Sequence, residues 1–136
     1  MSRAKIIKDE IVEENVKFLV IFIETKNSCL FMLSQNEDRL GTLVAAVPPG
    51  KGLIGPSTSS VLLGGKNATI ARIIAEKMAS KIGKVSLVSV YLETLDESMA
   101  GPILVRLVEK VMGKRAEESG ARLEAGGAGG AEEVKT

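Results

Sequence analysis

The sequence predicts an α+β fold: a six-stranded, mostly antiparallel sheet with two main helices on one face, in the order βββββαβα, its other face in a dimer. Three observations carry this. Residues 4–63 alternate and break like β structure. From residue 68 the apolar period lengthens from two to four. Two strands are apolar on both faces, although the chain has helices for only one.

The elements follow in order. "AKIIKDEIV" (residues 4–12) reads as a partly polar first strand, "EEN" (13–15) as a hairpin turn, and "VKFLVIFIE" (16–24) as a second strand rich in β-branched and aromatic residues. "TKN" (25–27) turns into a third strand, "SCLFMLSQ" (28–35), and "NEDR" (36–39) leads to a fourth, "GTLVAAV" (41–47). Prolines and glycines make "PPGKGLIGPSTS" (48–59) a loop, and "SVLL" (60–63) is a short fifth strand. Ile70, Ile74, Met78 and Ile82 then form one helical rail, joined by Ala71, Ile73 and Ala75, with Arg72, Glu76, Lys77 and Lys81 on the other sides. Asn67 suits the N-cap, its side chain accepting from a first-turn amide, and Gly83 suits a left-handed C-cap with Lys81 beside it. "KVSLVSVYLE" (84–93) is the sixth strand. "SMAGPILVRLVEKVM" (98–112) is the second helix; Pro102 places its regular start near Gly101, with Ile103, Leu104, Leu107, Val108 and Val111 inward. Residues 1–112 form the domain, and 113–136 a helix extension through "KRAEES" followed by a Gly/Ala/Glu-rich tail, disordered beyond Gly120.

In the second strand Phe18, Val20 and Phe22 point one way, and Leu19, Ile21 and Ile23 the other. The fourth behaves alike. Either a second subunit covers this second face, or the sheet curls over its own core.

Composition narrows the function. The chain has 136 residues, 45% hydrophobic but 3% aromatic, so the core is aliphatic. A net charge of +1 does not suggest a sequence-independent grip on nucleic acid or an acidic membrane. The longest apolar run, "FLVIFI", is far short of the ~20 residues of a spanning helix, and "MSRAKIIKDE" turns charged before a signal core forms. With one cysteine, a soluble protein of a reducing compartment is expected, cytoplasmic and, in a eukaryote, also nuclear.

The chemistry is thin. "VLLGGKNATIARIIAEKM" (61–78) resembles a phosphate-binding loop at first sight, but Ser60 stands where the first glycine belongs, and Asn67 replaces the magnesium-binding hydroxyl. A glycine turn between strand and helix remains. No histidine is present, which excludes a His-based triad or His-bound metal. Cys29 reads as a small buried hydrophobe, Tyr91 as a packing residue, and the acidic pairs Asp9-Glu10, Glu13-Glu14, Glu37-Asp38 and Asp96-Glu97 as solvated charge. No catalytic, cofactor or metal residue is assigned, and a binding protein is favoured over an enzyme.

"RLGTLVAAVPP", "STSSVLLGG", "ATIARIIAEKMASKIGK" and "VSLVSVYLE", in this order and spacing, resemble the small proteasome assembly chaperones, the third and fourth members of that set, over residues 4–112. The resemblance implies a dimeric scaffold, homodimeric or paired with a related chain, that binds α-type subunits, promotes formation of the α-ring of the 20S particle, and uses no nucleotide or metal. The chain ends Val134-Lys135-Thr136, without the penultimate tyrosine of the pocket-inserting C-terminal motif, so docking by tail insertion is not expected. The alternative is a small roadblock- or longin-like dimeric scaffold that regulates a GTPase; those folds place a long helix earlier, between strands.

Two groups of residues are candidates for binding. Pro48, Pro49, Lys51, Leu53, Ile54 and Pro56 lie on the long loop, whose prolines lower the cost of ordering it on a partner. Phe31, Leu33, Leu43, Ala45 and Val47 are the outward apolar positions expected at the dimer interface, a one-residue slip being enough to swap their faces.

Overall fold

The computed structural model describes residues 3–50 and 52–124, with side chains to residue 118. The elements are β1 (Lys5–Glu13), β2 (Val16–Glu24), β3 (Ser28–Gln35), β4 (Thr42–Val47), β5 (Thr58–Leu63), α1 (Ala68–Ile82), β6 (Val85–Tyr91) and α2 (Glu97–Glu124). All six strands join one sheet of order β1-β2-β3-β6-β4-β5. Only β3 and β6 are parallel neighbours; the other pairs are antiparallel. Five strands precede the first helix, so the long early helix expected of a roadblock- or longin-like scaffold is not present among the described residues.

Local chemistry explains the turns. Glu14 and Asn15 both have positive φ, 51° and 66°, the two-residue primed turn whose twist matches its flanking strands. Gly41 needs its missing side chain, since a Cβ there would stand 2.1 Å from the Val90 carbonyl oxygen. That contact lets β4 lie against β6. Gln35, wholly buried, donates to Thr94 Oγ1 at 2.7 Å and accepts from the backbone amides of Glu93 and Thr94 at 2.9 and 3.2 Å. It thereby holds the connection from β6 to α2.

Both helices lie on one face. α1 packs over β4, β6 and β5, and α2 over β1 and β2. Beneath them Phe18, Val20, Phe22, Phe31, Leu33, Val44, Val88 and Val90 are buried against Ile74, Met78, Leu104, Leu107 and Val111. The sheet does not curl over this core: among the described residues no element covers its other face.

α1 starts after Asn67 as expected, but its capping bond and the start of α2 differ from expectation. Asn67 adopts a left-handed conformation, φ 67°, and its side chain makes no capping bond. The Ile70 amide is instead taken by Glu97 Oε1 at 2.8 Å, across from α2. α2 begins at Glu97, ahead of the start near Gly101, because the Asp96 carboxylate accepts from the Met99 amide at 3.0 Å and fixes a turn before Pro102. Pro102 therefore sits in the second turn. Gly83 closes α1 in the expected left-handed form, φ 78°, its amide donating to the Ala79 carbonyl. α2 continues past Gly120 to Glu124; the tail at 125–136, expected to be disordered, lies outside the described residues.

Candidate interaction surfaces

The uncovered sheet face is the largest candidate. Register places Ile6, Ile23, Leu30, Leu87 and Ala45 in one row across five strands. A second row runs Ile21, Met32, Ser89, Leu43 and Leu63. Most of these side chains are half-buried, covered by sheet neighbours but by nothing above. Charge lies at the β1 rim and the start of β2, with Lys8 opposite Ile21, Glu10 opposite Leu19 and Lys17 opposite Val12. Leu43, Ala45 and Val47 are on this face, Val47 51% exposed. Phe31 and Leu33 are not, contrary to expectation. Both are 0% exposed on the helix-covered face, and the Phe31 ring meets Phe22 at 4.8 Å. The outward residues of β3 are Leu30 and Met32, one position out of phase.

The loop between β4 and β5 begins after Val47 of this face. Leu53 is 69% exposed and Ile54 101%. The Leu53 amide donates to the Gly50 carbonyl at 2.9 Å, Pro48 and Pro49 are half-buried, and Pro56 is exposed. A hydroxyl pair, Ser57 with Ser80 at 2.6 Å, ties the end of the loop to α1. Lys51 lies outside the described residues.

On the helix side, α2 is fastened to the sheet by charge. Arg106 pairs with Glu13 at 2.9 Å, and Lys110 and Lys114 with Asp9 at 3.2 and 3.0 Å. Glu24, 3% exposed, receives Arg115 through two nitrogens at 2.8 and 3.0 Å, and Lys84 at 2.7 Å. Burial alone would raise its carboxyl. The hydrogen bonds and charges of Arg115 and Lys84 outweigh that and hold it down at about 2. Sequence reasoning missed this cluster and took Asp9 and Glu13 for solvated charge. Asp9 faces α2 from within β1, and Glu24 continues the inward series Phe18, Val20, Phe22, which was the available signal.

A cavity of about 560 Å³ lies between the helices. Ile73, Ile74 and Met78 line it from α1, and Val105, Val108 and Met112 from α2. Ile73, expected in the packed rail, is 52% exposed at its wall.

The residues that suggested chemistry are placed otherwise. Gly64, φ 75°, makes the turn before α1, and Thr42 Oγ1 donates to the Lys66 carbonyl beneath it. The Lys66 side chain is exposed at a shallow cleft. Cys29 is 1% exposed, and burial pushes its thiol up, away from the thiolate. Tyr91 is half-buried under the Arg39 guanidinium, 5.3 Å from its ring centre, with its hydroxyl 3.4 Å from Glu93. Among the described residues no three His, Cys, Asp or Glu side chains group to hold a metal, and no helix is long and apolar enough to cross a membrane.

No protein-family model matches the sequence, and no curated protein does. The fold does match a solved chain from a chaperone complex for yeast 20S proteasome assembly. The two are 18% identical, with a TM-score of 0.64, over 87% of this chain and 98% of that one. At that identity the likeness is one of fold.

Proposed function

We propose that this chain is a non-catalytic assembly chaperone that works as a dimer, binds α-type subunits and promotes formation of the α-ring of the 20S proteasome. The observation that carries the reading is the fold match, which spans 98% of a chain whose complex serves 20S proteasome assembly in yeast. The open sheet face supports the dimer. Its two apolar rows would be buried by a second copy or a related chain, and a stable interface needs roughly 800 Å² from each partner. The exposed loop at Leu53 and Ile54 is the proposed contact for α-type subunits. Its place of action would be the cytoplasm, and the nucleus as well in a eukaryotic cell.

Pull-down against recombinant α-type subunits tests the reading. Retention of at least one subunit, weakened when Leu53 and Ile54 are both changed to Ser, is the expected result. No retention of any α-type subunit, with or without a related partner chain, would overturn it.

A further inference from the structure

α1 is centred over β4 and β6, and α2 over β1 and β2, so β3 lies beneath the gap between them. Three strand spacings, roughly 14 Å, separate these centre lines, whereas packed helices stand about 8–10 Å apart. The helices touch near their starts, where Gly101 meets Ile70, and part beyond it. The cavity of about 560 Å³ that opens there is within the range of ordinary binding clefts, ~300–1,000 Å³. Its walls are apolar and exposed at Ile73. Gly113 lines it too, and a Cβ on Gly113 would meet nothing within 4 Å.

Charge at the rim specifies what would fit. Lys77 and Lys81 stand one helical turn apart on the α1 edge, with no ion-pair partner among the described residues. Glu109 stands on the α2 edge, and Arg115 is committed to Glu24. We propose that this groove is a docking site for an amphipathic helix of a protein partner, carrying acidic residues one turn apart along the edge that faces α1. Its apolar stripe fills the gap over β3, its acidic edge pairs with Lys77 and Lys81, and its other edge is basic toward Glu109. Gly113 lets its backbone come close. The groove is on the opposite side of the sheet from the open face, so it remains available whether or not the chain dimerises.

The test uses the full chain and a fluorescein-labelled synthetic peptide of about 15 residues, four turns of helix. The peptide has a leucine stripe and two glutamates one turn apart on one edge. Its twin has lysines in place of the glutamates. Fluorescence anisotropy should show the acidic peptide binding about tenfold tighter than its twin, and the double variant Lys77→Glu, Lys81→Glu should reverse that order. Gly113→Gln, which fills the groove while improving helix propensity, should weaken the acidic peptide by about tenfold with an unchanged thermal midpoint or a higher one. Equal binding of the two peptides would overturn the proposal. So would binding that survives Gly113→Gln but is lost on changing Ile21 of the open face. A chain ending at Glu124 that binds about tenfold tighter than the full chain would assign the groove to the chain's own tail, and would also overturn it.

Discussion

Glu24 shows how one buried residue ties three elements together. Its carboxylate at the end of β2 holds Lys84 before β6 and Arg115 on α2. The carboxyl is depressed from 4.5 to about 2, so its contribution is fully present above pH 4.5 and is lost as pH falls toward 2. The amount is about 3 kcal/mol at neutral pH. Glu24→Gln should therefore lower the urea midpoint strongly at pH 7 and much less at pH 3. A gap between variant and parent that stays constant with pH would remove the ion pairs as its cause. Gln35 is a neutral counterpart: Gln35→Leu leaves the amides of Glu93 and Thr94 without their acceptor and should cost about 1–3 kcal/mol in urea unfolding. Gln35 was not legible as structural, and Glu24 only through its place in the inward series of β2. A lone Glu or Gln at a strand end reads as solvated until the burial of its face is known, and that depends on α2, 91 positions away for Arg115.

At the scale of elements, strand periods and turn residues were legible, and β2 and β3 fall on their predicted bounds. The start of α1 at Ala68 was legible too, but the group that caps it was not, because that partner is distant in sequence. Asn67 has the right side chain for a cap, but its left-handed backbone turns that side chain away, and Glu97 serves α1 from 27 positions on. Glu97→Ala should cost about 1 kcal/mol and speed hydrogen exchange at the Ile70 amide in particular. Unaltered exchange there would mean that the bond carries no weight. The basic series Arg106, Lys110 and Lys114, four apart, meets Glu13 and Asp9 as α2 runs against the direction of β1. That spacing was visible in the sequence, but its acidic partners were read one element at a time and the match was lost.

For the whole molecule, doubly apolar strands foretold an uncovered face, and the structure leaves one open. Which residues share it depended on the phase of β3: Cys29, Phe31 and Leu33 turn inward, Leu30 and Met32 outward. The run from Cys29 to Leu33 is apolar at every position and carries no internal mark of phase. Ile21 lies on β2, between Lys8 of the β1 rim and Met32 of β3, half-buried on the open face. If the proposed dimer forms, Ile21→Glu should leave a folded protomer but convert the dimer to monomer in light scattering at micromolar concentration. A parent chain that is itself monomeric under those conditions would refute the dimer.

The position of β6 has a consequence for how the chain is made. β6 is the last strand in sequence but lies between β3 and β4. Until residues 85–91 emerge, β3 and β4 each lack the strand that pairs their inner edge in the finished sheet. At about 5–20 residues per second, those edges wait on the ribosome for seconds. The final strand closes both at once, so the sheet becomes a single cooperative unit late in synthesis. A nascent chain stopped before residue 85 should be protease-sensitive and prone to strand-edge association, whereas one released beyond α2 should fold in a single step. The strand order thus makes the edges of β3 and β4 the last to be paired as the chain is made.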